Sequence, residues 1–256
     1  MKNRVAFTLP QLLVSISVVS LLAVAILPVL QSDHATLQRA ICANNLREIG
    51  QAIAMYANDN NDFFPPGYQQ TIGSDWHLII GPYLAKSQTT YASGGTKSPV
   101  FICPAAATPP AGSTTSLTYT AHRTLFWPIP SATASGICGP YTLLPYRMSQ
   151  ATRPGEVVMV FDACLSQTSG VTFDAQACSD ALGDTTTWVT CAGAQGTNDK
   201  AVSIGQNTDG ANAGLIRWRH NNNNGANFLF VDGHVESLVV GQLLHRNLRF
   251  DMTVTQ

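Results

Sequence analysis

The hydrophobic pattern divides the chain into one long apolar run, one amphipathic stretch and a mosaic of short alternating segments. From Val5 to Gln31, VAFTLPQLLVSISVVSLLAVAILPVLQ, no residue is charged. A helix crossing a bilayer core needs roughly 20 apolar residues and satisfies its own backbone polar groups. The run therefore predicts a transmembrane helix over residues 7–31. Lys2 and Arg4 precede it and the first acid, Asp33, follows it. That asymmetry places the N-terminus in the cytoplasm and the rest of the chain outside it. Beyond the run, Cys42, Leu46, Ile49, Ile53 and Tyr56 recur at 4-3-4-3 spacing, with Arg39, Asn44, Arg47, Glu48 and Gln51 mostly elsewhere. One apolar stripe of this kind predicts an amphipathic extension of the same helix over 32–58, packed on a sheet. Asn58-Asp59-Asn60-Asn61-Asp62, ahead of Pro65-Pro66, predicts its end.

The remainder, 59–256, reads as one globular domain with long loops. Trp76 to Leu84 predicts a short helix ending in a turn, and residues 86–99 and 104–116, rich in Ser, Thr, Gly, Ala and Pro, predict loops. Between them Val100 to Pro104 predicts a short strand. Pro154-Gly155 is a turn before the apolar run Val157 to Asp162, a central strand. Residues 164–213 read as an excursion low in charge. Near the C-terminus, Leu215 to His220, Ala226 to Val231 and His234 to Leu238 predict a three-stranded antiparallel meander within 215–240. Its turns are Asn221 to Gly225, whose residues tolerate positive φ, and the two-residue hairpin turn Asp232-Gly233.

Composition changes this picture in two ways. A net charge of −1, with only 11% charged residues, gives no basic surface for nucleic acid. All six cysteines, Cys42, Cys103, Cys138, Cys164, Cys178 and Cys191, lie beyond the apolar run. An even count on the oxidising side of a membrane favours disulfides. Cys178–Cys191 is one reading of the excursion and Cys138–Cys164 a guess among 15 complete pairings. The absence of C-x-x-C argues against a zinc ribbon or thioredoxin-like chemistry.

Arg4-Val5-Ala6-Phe7-Thr8-Leu9-Pro10-Gln11-Leu12-Leu13-Val14 resembles the leader of type IV prepilins and type II secretion pseudopilins. The resemblance implies a leader peptide over residues 1–6, cleavage between Ala6 and Phe7 by prepilin peptidase, N-methylation of Phe7 and retention of the apolar helix. Ala6 stands where the family usually has Gly, and Gln11 where it usually has the Glu that pairs with a neighbour's charged N-terminus. Pro10 is read as support for the cut. A helical proline clashes with the carbonyl four residues earlier, here that of Ala6, which cleavage removes. Pro28 lies near the outer end of the span, where pilin helices often carry a proline.

Two further stretches resemble a pseudopilin-like family abundant in planctomycetes and verrucomicrobia. They are Cys42 to Gly50 with Tyr56 to Pro65, and Arg219-His220 with Gly225 to Val235, which is similar to that family's closing H-x9-D-G domain. Eleven residues rather than nine separate His220 from Asp232 here. The resemblance implies a Cys42–Cys103 disulfide. It also implies an α+β, pilin-like fold: a long N-terminal helix, half transmembrane and half amphipathic, on an antiparallel β-sheet.

The function implied is structural. The chain would be a pseudopilin-like subunit of the inner membrane, single-pass, with its domain periplasmic or extracellular. Its partners would be prepilin peptidase and other pseudopilins, met through the helix, with no cofactor, no resident metal and no chemistry of its own. Other readings stay open. Residues 5–31 also suit a plain anchor, or a secretory signal cut after Ala23-Val24-Ala25. An anchored binding module for a glycan or protein ligand would use Trp76, Trp127, Trp188 and Trp218 as a contact surface. His220, Asp232 and His234, with Gly233 in their turn, could converge as a metal or acid/base site, or cap turns. The Asn58–Asp62 cluster reads as a calcium loop or as a solvated helix exit.

Overall fold

The computed structural model describes residues 8–69, 74–84, 89–90, 96–106, 114–115, 117–122, 125–126, 146–168, 172–174, 178–179, 201–202, 207–209 and 215–248. Side chains are described for these except at 23–33, 68–69, 74, 89–90, 96–97, 114–115, 166–168, 172–174 and 178–179.

Helix α1, Leu9–Asp59, is one element. Thr8 is its N-cap, and the Thr8 N–H donates to Gln11 Oε1 at 3.0 Å. Pro10 falls in the first turn, where backbone N–H groups have no helical partner. Ala6, whose carbonyl the expected clash with Pro10 concerns, lies outside the described residues. Among the described residues no helix is long and apolar enough to cross a membrane. The expected span is described only in part, because its side chains 23–31 lie outside the described set. From Cys42 onward the predicted stripe is buried: Cys42, Leu46, Ile49 and Ile53 are inaccessible, and Tyr56 is half-buried. Each such aliphatic side chain contributes roughly 1.5–3 kcal/mol relative to exposure. The helix stops where Asn61 and Asp62 take left-handed φ of 54° and 70°. The Asp62 N–H then closes on the Ala57 carbonyl at 2.8 Å.

The sheet has four antiparallel strands in chain order: β1 (Tyr119–His122), β2 (Val158–Asp162), β3 (Gly225–Phe230) and β4 (Val235–Val239). A two-residue strand, Cys178–Ser179, runs parallel to β1 on its outer edge. Residues 34–59 of α1 pack on this sheet, chiefly over β3 and β4, so the fold is α+β with a helix on an antiparallel sheet. Both faces are buried. Leu229, Val231, Met159 and Val160 join the stripe of α1, whereas Val158, Phe161, Phe228, Phe230 and Trp218 form a second core. Consecutive Met159 and Val160 face the same core because the β2–β3 register shifts between Leu229 and Phe230, a β-bulge. Gly50 lets α1 approach, since a Cβ there would sit 2.9 Å from Leu229 Cδ1.

Three predicted elements are corrected. Val100 to Pro104 is not a strand; Pro99–Phe101 is a 3-10 turn, started by Pro99 and capped by Ser98, whose Oγ accepts the Val100 N–H at 3.4 Å. Leu215 to His220 is not a meander strand but meets its neighbours only through isolated bridges, Ala163↔Ile216 and His220↔Gly225. The Trp218 N–H goes instead to Asn207 Oδ1 at 2.9 Å, and β2 takes the expected place beside β3. The β3–β4 loop has four residues, Val231 to His234, rather than two. The Gly233 N–H bonds the Phe230 carbonyl at 2.9 Å with Gly233 at φ +91°, and the Asp232 N–H bonds the Pro154 carbonyl at 3.1 Å. The helix predicted from Trp76 is present as α2, Trp76–Ile79, followed by a 3-10 turn, Gly81–Tyr83.

Candidate functional site

Two regions carry the expected functional residues. The first is the start of α1. Ala6 and Phe7, the expected cleavage pair, lie outside the described residues, as does the side chain of Pro28. Immediately beyond the pair, Leu9, Leu12, Leu13, Val14, Ile16, Val18, Val19, Leu21 and Leu22 are all exposed in the single chain. The hydroxyls between them are satisfied internally. Ser15, Ser17 and Ser20 each donate to the carbonyl four residues earlier, at 2.8, 2.8 and 2.7 Å. This leaves few unmet polar groups on an apolar surface. Gln11 is at the third helical position, where it accepts the Thr8 N–H.

The second region lies under α1. Cys42 on the helix and Cys103, just past the Pro99–Phe101 turn, are bonded, with Cα atoms 5.0 Å apart. Polar groups hold the backbone on both sides. Tyr119 Oη donates to the Cys42 carbonyl at 3.3 Å, Asn45 Nδ2 to the Ile102 carbonyl at 3.1 Å, and the Cys103 N–H to Thr118 Oγ1 at 2.7 Å. Burial, with Asp162 nearby, holds the Tyr119 phenol well above its usual range, so it remains a donor.

His220 reaches the same place from the far end of the chain. Asn221, Asn222 and Asn223 all take left-handed φ, the tight reversal that the asparagine run predicts. Gly225 closes it by exchanging two 2.8 Å backbone bonds with His220, where a Cβ would come within 2.9 Å of Asn221 Nδ2. His220 Nε2 then lies 3.9 Å from Cys103 Sγ and 3.2 Å from Asp162 Oδ2. Asp162, at the end of β2, also accepts the Asn227 N–H at 2.8 Å. Arg219 stands with Nε 3.9 Å from Asp162 Oδ1 and donates from Nη2 to the Ala163 carbonyl. Asp162, Arg219 and His220 are all buried.

His220, Asp232 and His234 therefore do not share a site. His234 Nδ1 lies 2.6 Å from Asp232 Oδ1 on the exposed hairpin loop, its ring stacked on Phe230 with centroids 4.3 Å apart. Asp232 also accepts the His234 N–H at 3.0 Å, so this pair caps a turn, with Gly233 supplying the left-handed residue. Among the described residues, one group of three or more Cys, His, Asp or Glu brings its ligand atoms together: Cys42, Cys103 and His220. The Asn58–Asp62 segment forms a helix exit, with Asp62 Oδ2 accepting the Ser149 N–H at 3.0 Å and Asn60 Nδ2 donating to the Tyr56 carbonyl.

Sequence reasoning missed Asp162 as the partner of His220 and Arg219 as the partner of Asp162. Asp162 reads as the last residue of an apolar strand, and nothing in its spacing ties it to residue 220. The Cys42–Cys103 bond is present as the resemblance implied. Cys164 is a buried thiol whose Sγ donates to the Ile216 carbonyl at 3.7 Å. Burial, and secondarily Asp209, pushes it up to about 11. Cys138, guessed as its partner, and the side chains of Cys178 and Cys191 lie outside the described residues. Trp76 and Trp218 are fully buried core residues and cannot form a contact surface, while Trp127 and Trp188 lie outside the described set.

Compared with models of protein families, with curated proteins and with solved structures, the chain matches none.

Proposed function

We propose that the chain is a pseudopilin-like structural subunit of a type II secretion pseudopilus or a type IV pilus-like filament, matured by prepilin peptidase between Ala6 and Phe7. The observation that carries this reading is helix α1 itself. One continuous helix exposes apolar side chains over Leu9 to Leu22 and buries its stripe from Cys42 to Ile53 on the sheet. A rod with two such surfaces suits a subunit held in a membrane by its first half and assembled with copies or relatives through that half. In that setting the satisfied serine hydroxyls and the intrahelical backbone bonds are what a lipid or helix-packed environment demands. The Cys42–Cys103 disulfide supports a domain on the oxidising side of the membrane. The chain would act by packing, and peptidase and neighbouring pseudopilins would be its partners.

The test is the N-terminus of the native protein from membranes, read by mass spectrometry. A chain beginning at N-methylated Phe7 is the expected result. A start at Ile26, as after an ordinary secretory cut, or an intact Met1 overturns the assignment.

A further inference from the structure

Three buried side chains from distant parts of the chain place Cys42 Sγ, Cys103 Sγ and His220 Nε2 within 4.8 Å of one another. In this structure the two sulfurs are joined. We infer that, when that bond is reduced, these three atoms form a three-ligand site for a thiophilic divalent cation, zinc above all, with its fourth position left to water.

The spacing fits with little movement. Zn–S bonds of about 2.3 Å and Zn–N bonds of about 2.0–2.1 Å put tetrahedral N and S ligands roughly 3.5 Å apart. The observed separation is 3.9 Å from Nε2 to Cys103 Sγ. The sulfurs must part to about 3.8 Å, which reduction allows.

Charge fits as well. A dication, two thiolates, the Asp162 carboxylate and the Arg219 guanidinium sum to zero around a neutral His220. A buried site with no net charge avoids most of the cost of desolvation. The donor set of two sulfurs and one imidazole suits zinc rather than calcium or magnesium. Its supports are in place: the Asn227 N–H on Asp162, Thr118 Oγ1 on the Cys103 N–H, and Tyr119 Oη on the Cys42 carbonyl.

The chemistry balances. A phosphine and water reduce the disulfide to two thiols, the phosphine becoming its oxide. Zinc then displaces the two thiol protons to solvent and takes the Nε2 lone pair of a His220 protonated at Nδ1. Metal and disulfide exclude each other, so the same three side chains report the redox state of the compartment that holds the domain. The inference stands apart from the filament reading.

The test uses the full chain in mild detergent, reduced with a phosphine under anaerobic conditions and titrated with cobalt(II) as an optical stand-in for zinc. The expected result is one equivalent bound, with thiolate-to-cobalt charge transfer and tetrahedral d–d bands, and neither in the oxidised protein. His220→Ala should weaken binding at least tenfold, and His220→Cys should restore it with stronger charge transfer. Peptide-level mass spectrometry guards against misfolded variants and against the other cysteines. In the reduced wild type, zinc should slow alkylation of Cys42 and Cys103 at least tenfold, and that of the other four much less. Equal alkylation with and without zinc, a spectrum that survives Cys103→Ser, or no cobalt uptake beyond the oxidised protein overturns the site.

Discussion

Several single residues carry measurable consequences. His122 on β1 is fully buried, and its Nε2 bonds the Leu248 carbonyl at 3.1 Å. Burial lowers it from 6.5 to about 4. The unfolded chain therefore takes up the proton first as pH falls. This contribution to stability is complete above about 6.5 and is lost progressively toward pH 4, by about 3 kcal/mol at most. Urea midpoints at pH 7 and pH 4.5 should differ less for His122→Gln than for the wild type. Asp162 is the second such residue. Removing it by Asp162→Ala leaves the Arg219 guanidinium buried without its counter-charge and the Asn227 N–H without an acceptor. A loss of about 3–5 kcal/mol in equilibrium denaturation is expected. Asp162→Asn, which keeps an oxygen for Asn227, should lose less.

At the scale of the element, the Cys42–Cys103 bond closes a loop across a separation of 61 residues. Constraining a loop of that length in the unfolded chain is worth about 4 kcal/mol in the chain-entropy model. The double change Cys42→Ser with Cys103→Ser should shift the denaturation midpoint accordingly. Reduction of the wild type, measured with a chelator present, should give a similar shift. How legible an element is depends on what its residues meet. The helix stripe was readable because Cys42, Leu46, Ile49 and Ile53 repeat with the helical period and all meet one sheet. The strand Val158–Asp162 was readable as a buried run, but the bulge that turns Met159 and Val160 to one side is set by its pairing with β3. Leu215 to His220 alternates like a strand, yet Asn207, a residue of the excursion, takes the Trp218 N–H. Such competition between a side chain and a ladder leaves no mark in local periodicity. His220 was visible as a motif residue, whereas its neighbours came from β2 and from Cys103 beyond the Pro99–Phe101 turn, which only the fold brings together.

For the whole molecule, the proposed role predicts that Gln11→Glu improves filament yield, since a carboxylate would supply the charge that Gln11 lacks. It would keep the acceptor for the Thr8 N–H, where an acid near a helix N-terminus is favoured. Filament yield by electron microscopy and subunit shearing checks this, and an unchanged yield counts against charge as the limiting factor. The arrangement of strands has a further consequence. Because β1 to β4 lie side by side in the order in which they occur, a chain emerging N-terminus first always finds the preceding strand already made. Both sulfurs of the Cys42–Cys103 pair have emerged sixteen residues before β1 begins at Tyr119 (119 − 103). An oxidant can therefore lock the helix to the Pro99–Phe101 turn while the site is still open to solvent. Tyr119, Asp162 and finally His220 then close over a bond already formed. The order of synthesis thus acts as a timer: a chain oxidised early matures with its sulfurs sealed, and one that folds first hides them from the enzyme that would join them.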